Sequence, residues 1–129
     1  MPACGKALDY REIEAQMVPE RMASGRVTIR WLISKDDGAQ AFYMRLFEME
    51  PDSEIKEHSH PWEHEIFVLE GDGVISIEDK EYRVKAGTVV FIPPNVRHYY
   101  KSGSKGMSFI CVIPAEPTAK EGEVPEYCR

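Results

Sequence analysis

Cysteine is scarce in this chain, and the three that occur, Cys4, Cys111 and Cys128, lie far apart without a Cys-x-x-Cys pair. This spacing argues against a disulfide framework and against a zinc site built from thiolates. We interpret the cysteines as structural or incidental thiols, because free cysteine is often simply a small buried side chain.

Basic surface and long apolar segments are also lacking. The sequence has 16 basic against 22 acidic residues and no Lys/Arg cluster, so it lacks the positive face expected of a nucleic-acid-binding protein. No apolar stretch approaches the roughly 20 residues of a membrane-spanning helix, and the N-terminus has no apolar segment of the signal type. We therefore expect a soluble cytoplasmic protein that binds neither nucleic acid nor membrane.

What the sequence does contain is a series of short apolar runs separated by turn residues. The predicted strands are Arg26–Ser34, Ala41–Met49, Glu54–His60, Glu63–Leu69, Val74–Glu78, Glu81–Val84, Thr88–Ile92, Arg97–Lys101 and Met107–Ile113. Turn residues such as Gly71-Asp72-Gly73 and Ser102-Gly103-Ser104 separate them. Short strands at roughly 8–12-residue spacing predict an all-β fold, an antiparallel sandwich or barrel.

A chain of this length suits one domain with a real core. We expect a barrel over residues 25–114, an N-terminal extension over 1–24 and a C-terminal tail over 115–129 that lies on the surface. In the extension, the spacing of Tyr10, Ile13 and Met17 hints at a helix, although residues 10–18 fit an edge strand equally well.

Some predicted strands are apolar on both faces. In Ile66-Phe67-Val68-Leu69 one set of alternate residues can face the barrel interior, but the other set must also be shielded from water. The run Trp31-Leu32-Ile33 has the same property. A homodimer that buries one sheet face is therefore expected.

All four histidines fall in two short segments. His58, His60 and His64 lie within seven residues, and His98 follows the turn Pro93-Pro94-Asn95. Side chains alternate along a strand, so His58 and His60 face the same side, roughly 7 Å apart. Imidazoles that converge inside a barrel would lose solvation unless they shared a ligand, and a divalent metal would supply it. The alternative is a solvated, histidine-rich surface turn.

These residues resemble the two-part motif of the cupin superfamily. The first part pairs two histidines with a later glycine, and the second combines glycine, proline and histidine. Matching positions are His58, His60 and Gly71 in the first part and Gly87, Pro93 and His98 in the second, with fifteen residues between the two glycines. The resemblance covers about residues 25 to 114 and implies a conserved double-sheet jelly-roll barrel of antiparallel strands, one mononuclear metal and usually a dimer.

Four positions depart from the cupin pattern. Asp52 and Asn95 stand where glycine is usual, and Ser102 stands where asparagine is usual; a turn tolerates aspartate, and asparagine can adopt a left-handed conformation. The glutamate position is His64, so the chain resembles small, single-domain, all-histidine cupins, in particular manganese-binding ones. The resemblance thus implies His58, His60, His64 and His98 as metal ligands.

The exchange of glutamate for histidine changes the charge of the site. A divalent metal with four neutral imidazoles keeps a charge of +2, which favours an anionic ligand or substrate. Manganese is the first choice by resemblance, but imidazole also suits iron, nickel, zinc and copper. An octahedral ion with four protein ligands keeps two positions open, the geometry of a catalyst more than of a structural clamp.

Other pocket residues are predicted with alternatives. Arg45 is a candidate anchor for a carboxylate, but an exposed arginine on a strand is the commoner case, and either parity of residues 41–49 could face inward. Tyr100 shares the parity of His98 and is a candidate proton donor. Phe109 and Cys111 could line the pocket below the metal or simply pack in the core.

The leading functional hypothesis is a metal-dependent enzyme, an oxygenase of the dioxygenase type, acting on a small anionic organic molecule. Isomerase or lyase chemistry is also open, because the metal would stabilise developing negative charge in either case. The second hypothesis is a non-catalytic module in which the metal holds a small metabolite. The fold alone cannot decide between them.

Overall fold

The computed structural model describes residues 3–129. In the described chain, the nine strands are β1 (Gln16–Met17), β2 (Ala23–Ser24), β3 (Val27–Ile33), β4 (Phe42–Met49), β5 (Glu54–His58), β6 (His64–Ile77), β7 (Lys80–Lys85), β8 (Val89–Ile92) and β9 (His98–Pro114). Single 3-10 turns occupy Tyr10–Glu12, Lys35–Asp37 and Glu126–Cys128. No helix between residues 3 and 129 is long and apolar enough to cross a membrane.

The strands form a single antiparallel sheet that curls on itself. One path runs β1-β3-β4-β9-β5-β2, and β6 pairs with β7, β8 and β9. The long strand β9 connects the two parts of this topology. The first residues of β9 pair with β5, its last residues pair with β4, and most of its length pairs with β6. The predicted all-β antiparallel architecture is confirmed.

Two predicted turns are wrong, because the chain does not reverse at either of them. Gly71-Asp72-Gly73 lies inside β6, and Ser102-Gly103-Ser104 lies inside β9. The glycines instead allow close approach of the two strands: a Cβ on Gly71 would lie 2.0 Å from the Gly106 carbonyl oxygen. Shifts in the β6–β9 register occur at the same place, so these residues bend long strands across the barrel.

The N-terminal segment joins the sheet at two points. After the 3-10 turn, β1 pairs with β3 and β2 pairs with β5. Of the two alternatives for residues 10–18, the edge strand therefore describes Gln16–Met17, and no α-helix forms there. The connecting residues 18–22 run between these two pairings.

The barrel interior follows the alternation expected of strands. In β6, Ile66 and Val68 are buried while Phe67 and Leu69 are exposed. The buried apolar core includes Phe109 and Tyr100. Because Tyr100 is two residues after His98 on β9, the core lies next to the histidine-bearing end of the barrel.

Candidate metal centre

Three strands and one loop bring the histidines to one end of the barrel. His58 ends β5, His64 begins β6 and His98 begins β9, while His60 lies in the loop between β5 and β6. His58 and His98 are direct partners in the antiparallel pairing of β5 and β9. The cross-strand register thus joins the two histidine segments that are distant in sequence.

Three of the four imidazoles converge within reach of one ion. One nitrogen from each of His58, His60 and His98 lies within 4.8 Å of the other two. The His64 ring adjoins this group, with its centroid 4.5 Å from that of His60 and 4.9 Å from that of His98. The arrangement contradicts a solvated surface turn, because His64 and His98 are almost completely buried.

Backbone carbonyls fix the orientation of two rings. Nδ1 of His58 lies 2.7 Å from the Lys56 carbonyl oxygen, and Nδ1 of His98 lies 2.8 Å from that of Val96. A carbonyl oxygen only accepts, so both Nδ1 atoms carry the proton and both Nε2 atoms present a lone pair. Metal-binding histidines are usually oriented in this way. Among residues 3–129, the buried Nε2 atom of His98 has no hydrogen-bond partner, as expected for a nitrogen that coordinates a metal.

The environment also keeps the rings of His60, His64 and His98 neutral. Burial lowers the pKa of His60 to about 4 and that of His98 to about 3; it lowers the pKa of His64 further still. Nearby imidazoles add to the effect, since a second positive charge would be close. Neutral imidazole is the form that binds a metal. The donor set therefore fits a divalent transition metal.

A cavity of about 260 Å³ opens beside the histidines. Its walls are mostly apolar and include residues of the N-terminal segment. The lining residues are Met17, Val18, Pro19, Met22, Ile29, Trp31, Arg45, Phe47, Ile55, His58, His60, Trp62, His64 and Tyr100. No aspartate or glutamate is among these lining residues, so the formal charge that the described part of the chain contributes to this wall at neutral pH is positive.

Arg45 supplies that charge. On β4, Arg45 and Phe47 share the cavity-facing parity, whereas Leu46 does not, which settles the alternative left open by the sequence. The Arg45 side chain is half-buried, donates from Nη2 to the Cys111 sulfur at 3.0 Å, and lies over the Trp31 and Phe47 rings. Among the described residues, no carboxylate forms an ion pair with it.

Tyr100 lies between the histidines and the apolar core. Its ring centroid is 5.7 Å from that of His98 and 5.1 Å from that of Phe109, on which it stacks. Burial raises the pKa of the Tyr100 hydroxyl well above its usual value, so the group is a neutral phenol. Phe109 and Cys111 are fully buried and lie behind the cavity wall, outside the set of residues that line it.

Several lining residues were not predicted from the sequence. Trp62 stacks on His60 with ring centroids 4.2 Å apart. Its position two residues after a predicted metal ligand could have indicated that it lines the cavity. Met17, Met22 and Trp31 come from the N-terminal half. No local pattern reveals them, because they reach the cavity only through the pairing of β1 with β3 and of β2 with β5.

Comparison with known proteins assigns the fold. The Cupin domain family matches residues 45–113. The crystal structure of the polyketide cyclase RemF from Streptomyces resistomycificus superposes with a TM-score of 0.80 at 32% identity, covering 95% of this chain and 88% of that one. The conserved barrel predicted from the sequence is therefore confirmed.

Two curated relatives add further similarity. An oxalate-binding protein of Thermotoga maritima is 31% identical over 109 residues, which are 77% of this chain and 88% of that protein. The polyketide synthase CurC of Streptomyces cyaneus is 29% identical over 75% of this chain. The alignment spans only 60% of CurC.

Proposed function

Because the chain belongs to the cupin family, we propose that its histidine cluster is a mononuclear metal centre of an enzyme that acts on a small anionic organic molecule. His58, His60 and His98 would hold the ion, with His64 as the fourth ligand. The observation that carries the proposal is the acid-free cavity in which neutral imidazoles and one unpaired arginine face the same space. Manganese remains the first choice, and iron, nickel, zinc and copper fit the same donors.

The role of His64 rests on its environment. Its ring adjoins those of His60 and His98, and its buried Nδ1 has no hydrogen-bond partner in the part of the chain that the structure describes. An unpaired buried nitrogen is costly, and coordination would remove that cost. With four imidazoles and a divalent ion, the centre would carry a charge of +2.

Arg45 and Tyr100 would handle the substrate. The guanidinium would bind a carboxylate or enolate oxygen, since it has no acidic partner of its own. The neutral Tyr100 hydroxyl would hold or deliver a proton at a substrate oxygen. Phe109 and Cys111 would act indirectly, Phe109 by supporting the Tyr100 ring and Cys111 by fixing the guanidinium.

A bound divalent metal would supply Lewis-acid stabilisation of negative charge on a substrate oxygen. The apolar and aromatic walls would exclude water and strengthen the charge interactions inside. These features suit stabilisation of the enolate that forms when a proton next to a carbonyl group is lost. A hydroxide ion, which a bound metal would make available at neutral pH, would accept that proton. Such a proton loss is the first step of many ring closures and eliminations. We therefore place non-oxidative cyclase or lyase chemistry first, in line with the polyketide cyclase among the similar proteins.

The oxygenase predicted from the sequence remains the second candidate. His58, His60, His64 and His98 would hold a redox-active ion, and such an ion would supply oxygen activation beside the substrate cavity. A non-catalytic binding role is the third, in line with the oxalate-binding relative. Cytoplasmic location stays a prediction.

The test begins with metal content. Protein purified without a histidine tag or chelator is expected to carry about one divalent transition metal per chain, and His98→Ala should lose it. Glu65→Gln is the matched control, because Glu65 neighbours His64 but is exposed. Folded wild-type protein that takes up no manganese, iron, nickel or zinc would contradict the metal centre.

A second measurement separates the reactions. The metal-loaded protein is incubated in D2O with β-keto carboxylates, while NMR follows deuterium incorporation next to the carbonyl and an electrode follows dissolved oxygen. Exchange that depends on metal and on Arg45, without oxygen uptake, is expected. Oxygen uptake in proportion to product would favour the oxygenase, and binding without either change would favour the non-catalytic role.

A further inference from the structure

Asn95 occupies a turn between the two metal-ligand segments in an unusual backbone conformation. Its φ is +63°, in the left-handed region that favours glycine, and only 9% of the residue is exposed. Asparagine tolerates this conformation better than most residues, but glycine tolerates it best. The presence of asparagine here therefore needs a reason beyond the turn itself.

The reason lies in the Asn95 side chain. Its Nδ2 donates to the carbonyl oxygens of Lys120 and Glu123, both at 2.8 Å, and its Oδ1 accepts from the Gly122 amide at 3.0 Å. Both amide protons of the side chain are thus used, and glycine could make none of these bonds. Asn95 fastens the segment 118–123, here called the C-terminal strap, to the barrel end.

The same network reaches both ligand segments. The Asn95 backbone amide donates to the His60 carbonyl oxygen at 2.7 Å. The strap amides of Thr118 and Ala119 donate to the Pro61 carbonyl oxygen at 2.9 and 3.3 Å. The chain thus forms a closed loop of hydrogen bonds from the His60–Pro61 segment, through the strap, to Asn95.

His98 is connected to this loop through the next residue of the turn. Val96 follows Asn95, and its carbonyl accepts the His98 Nδ1 proton at 2.8 Å. A shift of the turn would therefore move both the anchor of the His98 ring and the backbone of His60. Partners that orient metal ligands commonly change metal affinity about 10- to 100-fold when they are removed.

We propose that the C-terminal strap sets the relative positions of His60 and His98, and that Asn95 is a positioning residue of the metal centre. The inference rests on the proposed metal centre. It assigns a role in the site to a segment outside residues 45–113, the part matched by the family.

Two full-length variants test the strap from opposite sides. Asn95→Gly keeps a residue suited to positive φ but removes the three side-chain hydrogen bonds. Gly122→Pro removes the amide that donates to Asn95 and forbids the φ of +81° that Gly122 adopts. Gly5→Pro is the control, because Gly5 also has a positive φ and an amide that donates a hydrogen bond, but its acceptor is the Ala3 carbonyl oxygen, outside the strap.

Each protein is loaded with Co2+, and its visible spectrum and its rate of metal release to a chelator are measured. Both strap variants should release the ion about tenfold faster or more with an altered spectrum, and the double variant should be no faster than the faster single one. The control should match wild type. Unchanged release and spectrum in folded Asn95→Gly would overturn the proposal, as would full additivity in the double variant.

Hydrogen exchange of the Asn95 backbone amide gives a readout that needs no metal. Faster exchange in Gly122→Pro is expected if the strap holds the turn against His60, and unchanged exchange would count against it. Wild-type protein that binds no Co2+ would instead overturn the proposed metal centre, and with it the role given to the strap. The two failures are therefore distinguishable.

Discussion

Arg45 is the residue whose surroundings say most about the ligand. The chain carries a formal net charge of −6, so acidic partners are abundant, yet among the described residues none forms an ion pair with this guanidinium. Its buried Nε also has no hydrogen-bond partner among these residues. A charge that is partly removed from water without a counter-ion is costly, and an anionic ligand would reduce that cost.

The first residue-scale prediction is that Arg45→Met weakens anion binding without loss of metal. Binding of salicylate to the manganese-loaded protein should weaken by about 10- to 100-fold, since hydrogen bonds to charged groups contribute about 1.5–3 kcal/mol. Isothermal titration measures the change. Arg83→Met, which removes an exposed arginine from β7, should bind salicylate like wild type.

Salicylamide provides the internal check on this prediction. It keeps the ring and hydroxyl of salicylate but lacks the negative charge. An equal loss of affinity for salicylamide and salicylate in Arg45→Met would contradict the assigned electrostatic role and indicate that the arginine stem only shapes the cavity.

The sequence predicts the site unevenly, and the reason is the range of the interactions. His58 and His60 were predicted as a pair from their two-residue spacing, but β5 ends at His58, two residues before the predicted strand end, and His60 reaches the cluster from the loop. His98 was predicted because a second turn carries the matching motif. The sequence did not reveal that the Arg45 side chain faces the cavity. In a barrel strand both parities can be apolar, and only the pairing of β4 with its neighbours decides which one faces the cavity.

At the scale of elements, β6 and β8 expose an apolar outer face. Phe67 and Leu69 on β6 and Val89 and Phe91 on β8 are between 39% and 73% exposed. Contiguous apolar surface of this kind usually marks an interaction site. The homodimer expected from the sequence would cover it, and that assembly remains a prediction.

The second prediction follows from this face. Val89→Lys places a charge at the most exposed of these four positions, so it should convert a dimer into a monomer because an unpaired charge would be buried on association. Analytical ultracentrifugation at micromolar concentration measures the change. Tyr82→Lys is the matched control, since Tyr82 is a 41% exposed aromatic residue on β7. A wild-type monomer, or dimers in both variants, would contradict the assignment.

The strands themselves were largely predictable, and the errors have a common cause. Alternating apolar residues identified the segments that became β3, β4 and β8 within a residue or two. At Gly73 and Gly103 the turn residues were misread. A Cβ at Gly73 would lie 2.2 Å from the Lys101 carbonyl oxygen, and one at Gly103 would lie 2.4 Å from Asp72 Oδ1. These glycines serve close packing between β6 and β9, which no local pattern distinguishes from a turn.

For the whole molecule, the histidine cluster links metal binding to folding. The ligands come from segments about 40 residues apart in the sequence, so the cluster exists only when β5, β6 and β9 are paired. A ligand that binds only the folded state stabilises it by about 2.7 kcal/mol at a free concentration of 100 Kd. The metal-free protein keeps the buried imidazoles but lacks the stabilisation that bound metal would provide. We therefore expect acid to destabilise the metal-free protein more than the metal-loaded one.

The last prediction concerns the stability of the metal-free protein in acid. Burial lowers the pKa values of His60 and His98 to about 4 and about 3 and also lowers that of His64, whereas an unfolded histidine titrates near 6.5. Above pH 6.5 these rings are neutral in both states and contribute no pH dependence. Between pH 6.5 and about 4, these rings take up protons only in the unfolded state. The free energy of unfolding should therefore decrease as the pH is lowered, by at most about 1.4 kcal/mol per pH unit for each ring.

Urea unfolding at pH 8, 7, 6 and 5 measures this slope. His64→Gln, which removes one of the three rings, should reduce the slope between pH 6 and 5 by about a third if each ring contributes equally. With ordinary histidine pKa values, metal would be lost below about pH 6 because protons compete directly for the ligands. With the lowered pKa values, we expect metal loss to occur together with unfolding. A free energy of unfolding that stays constant from pH 7 to 5 would mean that the buried imidazoles accept protons in the folded barrel, and the neutral-ligand account of the centre would fail.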